Sequence, residues 1–203
     1  MPKQTFYNLP KEKRETILDA ALEAFANDAY SKVTVDQIVQ RAGIPKGSFY
    51  QYFTNKEDIY RYLFATLTME KGEVFEDIFD AMDSMDFSTF IRKLYMEGIG
   101  FEYRREAYEG LRDRFLKNCS KELREDILEE MIPQSNALFE RVISHYKEAG
   151  ELRGDLDVML SAEMMTALTV FMSNRLVSGK HERENVEDTF LKMIEILEKG
   201  LKY

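Results

Sequence analysis

Lys46, Ser48, Tyr50 and Gln51 stand within six residues of one another, with Gly47 among them and no carboxylate between. An ammonium, two hydroxyls and an amide are hydrogen-bond donors suited to an anionic, acceptor-rich surface rather than to covalent chemistry. The gap in acids is wider than this cluster. The twenty residues from Gln37 to Lys56 contain no Asp or Glu, yet they contain Arg41, Lys46 and Lys56. The chain as a whole carries a formal charge of −9, distributed unevenly: residues 1–56 hold eight Lys/Arg against six Asp/Glu, and residues 57–203 hold twenty against thirty-one. One acid-free element on an otherwise acidic molecule is a candidate anion-binding face. The competing explanation is a chance gap in the charges.

Other chemistries lack their constellations. His145 and His181 are thirty-six residues apart, and neither has a cysteine or second ligand at metal-binding spacing. Cys119 is the only cysteine, so no intrachain disulfide can form. Gly98-Ile99-Gly100 lacks the third glycine and the preceding strand of a dinucleotide site. The many carboxylates read as solvated helix faces. We therefore expect no enzyme, no metal and no cofactor. The first residues have no apolar run before a cleavage site, so no signal peptide is expected. The most apolar window, 158–172, is too short to span a bilayer and contains Glu163. A cytoplasmic protein with no membrane partner is the expectation.

The elements that must position the donor cluster can be read from caps and periodicity. Residues 1–9 read as a loose polar arm. Pro10 suits a first helical position, and Ile17, Leu18, Ala21, Leu22 and Phe25 form one stripe of the helix it opens, ending near 27–29. Thr34 and Gln37 have capping-box spacing before a short helix lined by Ile38, Val39 and Ala42 and stopped by Gly43. Pro45 opens a second short helix through Gln51. Asn55 and Asp58 then start a longer one, with Ile59, Leu63, Leu67, Val74, Ile78 and Met82 on one side. Ser88, Ser120 and Asp155 are further expected starts, Pro133 should kink or divide the 120–149 stretch, and a last helix is expected over about 184–199. With four prolines, ten glycines and no strand-like alternation, the expected class is all-α. A capped helix, a glycine turn and a short helix make a helix-turn-helix, whose second member can enter the major groove of DNA.

The residues in that unit are more specific than its geometry. TVDQIVQRAGIPKGSFYQYFTNKEDIY, residues 34–60, resembles the DNA-binding signature of the tetracycline-repressor (TetR) family. The likeness includes Thr34, the Ala42-Gly43 turn, Lys46 to Tyr50, Tyr52-Phe53 and Asn55-Lys56-Glu57. Upstream, Ala24-Phe25 and Tyr30 resemble the family's first helix, although Ala29 stands where glycine is frequent. The resemblance implies an N-terminal three-helix DNA-binding domain, residues 1–56, joined to a larger helical effector-binding and dimerisation domain, residues 57–203. It implies that Thr34 meets a phosphate at its helix start and that Lys46, Ser48 and Gln51 approach the groove, while Gly47, without a side chain, lets the backbone come close to a phosphate. It further implies that Gln51 reads a base edge, that Tyr50 touches phosphate or a thymine methyl, and that Tyr52 and Lys56 meet phosphate. Tyr52 is open to a second reading as core.

The rest of the chain carries the resemblance more weakly. Residues 150–157 are similar to the connection before the family's penultimate helix. Residues 156–178 are apolar nearly all round, so a partner surface is a natural cover. With residues 184–201 they would form a homodimer interface, giving the two recognition helices that a palindromic operator in double-stranded DNA requires. Among the aromatics of residues 60–145, Tyr95, Phe101, Tyr103, Tyr108 and Phe115 are candidates for lining a site for a small hydrophobic or aromatic effector. The implied function is a transcriptional regulator, by default a repressor, released from its operator as the effector shifts the helix at 56–82. The alternative is a helical ligand-binding or interaction module that has lost DNA binding.

Overall fold

Long helical stripes with few breakers give, in the computed structural model, an all-helical chain. The structure describes residues 1–177 and 183–201, and among them there is no strand. The helices are α1 (Gln4–Tyr7), α2 (Lys11–Asn27), α3 (Val35–Ala42), α4 (Lys46–Tyr52), α5 (Lys56–Asp80), α6 (Phe87–Glu102), α7 (Glu106–Asn118), α8 (Lys121–Glu148), α9 (Val158–Val177) and α10 (Arg183–Leu201). Met82 falls beyond α5 in a 3-10 turn, Met82–Ser84, rather than on the α5 stripe.

Local chemistry explains most boundaries. Pro10 sits one position before the expected one, as the N-cap of α2, whose Ile17, Ala20, Ala21, Leu22, Ala24 and Phe25 are buried. At α3 the expected capping box closes: Thr34 Oγ1 accepts from the Gln37 N–H at 3.2 Å, and Gln37 Oε1 accepts from the Thr34 N–H at 2.7 Å. Gly43, at φ +64°, ends α3 in the left-handed region, where a side chain would be strained. Ser120 caps α8 as expected, accepting from the Leu123 N–H at 3.3 Å.

Two expected starts are displaced by two residues. Asp86, not Ser88, accepts from the Thr89 N–H at 2.7 Å, and Asp157, not Asp155, accepts from the Leu160 N–H at 3.0 Å. In both cases a carboxylate three residues before a free N–H outcompetes the neighbouring candidate. Asp155 pairs with Arg153 instead, at 2.8 Å. Pro133 does not divide α8, which runs on from Lys121 to Glu148.

Packing gathers the chain into two units, residues 1–70 with 102–127, and residues 71–101 with 128–203. This packing boundary lies within α5, whereas the sequence suggests a functional division at 56. The reason is α7, which returns to lie along α2. Gly110 approaches α2 so closely that a Cβ there would stand 2.9 Å from the Ala26 carbonyl oxygen, and Arg105 donates to Asp19 at 2.7 Å. In the second unit Phe87, Phe90 and Tyr146 form an aromatic cluster, with the Tyr146 hydroxyl donating to the Met82 and Met85 carbonyls at 3.2 and 3.1 Å. There α9 buries Ala162, Met165, Leu168 and Met172, while Met159, Leu160, Met164 and Phe171 stand exposed. Residue 178, the expected end of that segment, and His181 lie outside the described residues. Among the described residues no helix is long and apolar enough to cross a membrane.

Candidate nucleic-acid interface

The donor cluster sits on α4, a helix of seven residues. Its inner side buries Phe49 completely and leaves Tyr52 only 6% exposed; its outer side carries Lys46, Gly47, Tyr50 and Gln51 in the open, with Ser48 half-buried. Nothing lies within 4 Å of where a Gly47 Cβ would stand, so the backbone there is open to approach. Ile38, Val39 and Ala42 of α3 are buried as expected, and Thr34 is exposed at the α3 start with its hydroxyl already used as the cap.

Space contradicts the sequence on one point of charge. Asp36, one residue outside the acid-free run, lies in the first turn of α3 and meets the Lys46 ammonium at 2.9 Å. The hydrogen bond to that carboxylate, then its charge, raises the Lys46 pKa above the ordinary lysine value. The segment is thus free of acids in sequence but not in space. Periodicity gave no sign of this, because the two residues are ten apart and on different helices.

Two expected phosphate contacts turn inward. Tyr52 packs its ring 6.2 Å from that of Phe6 and is buried, the placement that its reading as core expects. Lys56 is half-buried, donating to the Tyr30 carbonyl at 2.7 Å and the Val33 carbonyl at 2.8 Å, with its ammonium 4.4 Å from the centre of the Tyr30 ring. Burial lowers its pKa. It therefore fastens the α2–α3 loop to the start of α5, and its charge is directed at carbonyls rather than outward. Tyr30 is held in turn by Phe25 and Tyr60, with ring centroids at 6.0 and 4.8 Å.

The arm is not loose. Phe6 is wholly buried against Phe53 and Tyr62, at 4.9 and 5.6 Å, in the helical turn α1. The Lys3 N–H donates to the Tyr52 carbonyl and its ammonium to the Tyr50 carbonyl, both at 2.8 Å, and the Thr5 hydroxyl donates to the Gln51 carbonyl. The available signal was the adjacent aromatics Phe6 and Tyr7, with Leu9 beyond them.

The five candidate effector contacts are divided between the two units. Tyr95 and Phe101 belong to the second unit, and Tyr103, Tyr108 and Phe115 to the first. The Tyr95 hydroxyl donates to the Met165 carbonyl at 3.0 Å, and its ring lies 4.3 Å from Phe190, so it is core; burial pushes its pKa up. Phe115 is buried against Phe64 at 4.6 Å. The Tyr108 hydroxyl donates to Glu70 at 2.6 Å beneath Arg105, and Arg112 lies 5.8 Å from the centre of the half-exposed Tyr103 ring. An open cleft lined by Ser144, Lys147, Glu148, Gly154 and Val158 includes none of the five. Among the described residues no group of three or more His, Cys, Asp or Glu side chains is placed to hold a metal ion.

Comparison with known proteins agrees with this geometry. A family model described as bacterial regulatory proteins, tetR family, matches residues 17–63, from mid-α2 into α5. The fatty acid metabolism regulator protein of Bacillus subtilis is 29% identical over 161 residues, 76% of this chain and 80% of that one. A crystal structure of a TetR family transcriptional regulator from Chloroflexus aurantiacus is 27% identical, with a TM-score of 0.62 over 100% of this chain and 99% of that one. The structure of FadR from Bacillus subtilis in complex with stearoyl-CoA shares the fold, with a TM-score of 0.72 at 22% identity, over 89% of this chain and 96% of that one.

Proposed function

Because the chain belongs to the TetR family of DNA-binding transcriptional regulators, we propose that it is a repressor whose two copies seat paired α4 helices on a palindromic operator and release it on binding a fatty-acyl thioester. The observation that carries the DNA reading is the outer side of α4, where Lys46, Tyr50 and Gln51 are exposed while Phe49 and Tyr52 anchor the helix from behind. Lys46, Ser48 and Gln51 enter the groove, Gln51 pairing with an adenine edge, and Thr34 and Tyr50 meet the backbone. On contact the Lys46 ammonium exchanges Asp36 for DNA. Tyr52 and Lys56 hold the unit together and touch no phosphate.

Two recognition helices are needed because one reads too few base pairs. The exposed apolar side of α9 (Met159, Leu160, Met164, Phe171), together with α10, supplies the surface that a second copy covers. The effector class follows from the fatty acid regulator of B. subtilis and from the stearoyl-CoA bound by FadR. Tyr103 and Tyr108, beside the Arg112 and Arg105 guanidinium groups, are the retained candidate contacts. No catalytic role is proposed, and a DNA partner puts the protein in the cytoplasm.

The test is gel retardation of DNA flanking its own gene, with competitor DNA present and palmitoyl-CoA as the added probe. A shifted band that collapses with palmitoyl-CoA supports both parts. A band unaffected by it removes the effector class alone, and no band at low ionic strength removes the DNA reading.

A further inference from the structure

A helix leaves its last four carbonyls without partners of its own, and a helix of seven residues has little cooperative stability to spare. On α4 those carbonyls belong to Phe49, Tyr50, Gln51 and Tyr52. The first accepts from the Phe53 N–H at 2.8 Å. The other three are taken by residues almost fifty positions earlier: Tyr50 by the Lys3 ammonium, Gln51 by the Thr5 hydroxyl and Tyr52 by the Lys3 N–H. Phe6 wedges the segment in place against Tyr52, Phe53 and Tyr62. The Lys3 charge also lies at the negative end of the helix dipole, where a cation is favoured.

We propose that Lys3, Thr5 and Phe6 are positioning residues for DNA recognition: they complete the C-terminal cap of α4 and so fix the direction in which Tyr50 and Gln51 reach the duplex. Two of the three held carbonyls, those of Tyr50 and Gln51, belong to residues whose side chains are exposed donors of the helix. Without the arm, the last turn frays and those side chains lose a fixed origin. The phosphate-facing end of α4 would then also present bare carbonyl oxygens to a polyanion. This role rests on the DNA-binding reading above, but its structural half is measurable without DNA.

The full-length chain carrying Lys3→Met, Thr5→Val or both, with Thr5→Ser as the conservative control, tests it; Phe6→Leu is an additional, riskier variant. Hydrogen exchange followed by mass spectrometry compares residues 46–53 with residues 35–42 of α3. The expected result for the double variant is exchange about tenfold faster in 46–53 and unchanged in 35–42, the effect of losing one or two ordinary hydrogen bonds. Affinity for the DNA fragment selected by the wild type should fall by a similar factor, with non-specific binding and the salt slope unchanged and Thr5→Ser close to wild type. Unchanged exchange in 46–53 overturns the proposal, as does faster exchange with undiminished operator affinity. A Lys3→Met variant with normal exchange and a salt slope lowered by about one also overturns it, making Lys3 a direct phosphate contact. A wild-type protein that retards no DNA defeats the functional reading instead, a result separate from the exchange data.

Discussion

The outer sides of α4 and α9 are both uncovered, and their chemistry is opposite. On α4 the exposed side chains are Lys46, Tyr50 and Gln51, and the backbone behind them is already hydrogen-bonded. On α9 they are Met159, Leu160, Met164 and Phe171, between 46% and 62% exposed. Covering an apolar side chain of this size is worth roughly 1.5–3 kcal/mol, whereas a polar donor gains only when it meets an acceptor in the right place. One surface therefore suits any complementary apolar face, such as its own copy, and the other suits a partner with fixed acceptors. On the proposed function, that difference divides affinity for the operator between the two, with pairing assigned to α9 and reading to α4.

The largest break in that division should come from α9. Met164→Asp combined with Phe171→Asp is expected to leave a folded monomer by sedimentation, with operator affinity lowered by roughly a thousandfold through lost bivalency. An intact dimer would remove α9 from the interface. On α4, Lys46→Ala or Gln51→Ala should cost about 1–3 kcal/mol of operator binding, and Gln51→Ala should relax preference at one base pair of each half-site in a selection experiment. Uniform weakening across all sequences would make Gln51 a backbone contact.

Lys56→Met sharpens the contrast between outward and inward lysines. It is expected to lower thermal stability, by about 1–3 kcal/mol for the carbonyls left without their donor, while the salt dependence of DNA binding stays as in wild type. A slope reduced by about one would return Lys56 to the phosphates. The smallest effect belongs to Asp36→Asn, which frees the Lys46 ammonium from an exposed pair worth little by itself. Non-specific binding should strengthen by a factor of about two or three at low salt, a change checked by fluorescence anisotropy on random duplex.

Much of the DNA-binding unit was legible because its signals are local. Thr34 and Gln37 are three residues apart and satisfy each other's backbone; Gly43 meets a steric demand of its own turn; the α2 stripe repeats with the helical period. Each of these needs only the residues beside it. Beyond that unit two helix starts were displaced, Asp86 taking the place expected of Ser88 and Asp157 that of Asp155, because more than one capping residue stood within two positions.

What tertiary structure alone decided is where the charges and the arm go. Lys46 and Lys56 look alike in the sequence, each at the start of a helix in a stretch without acids. One faces Asp36 at the surface and the other is half-buried over Tyr30. Three carbonyls of α4 are satisfied from residues 3 and 5, and Gly110 is pressed against Ala26 from a helix more than eighty residues away. Caps and periods act over three or four residues, and for that reason the sequence determines them. A long flexible side chain takes whichever acceptor the folded chain brings within 3 Å, and that is settled only when distant segments meet.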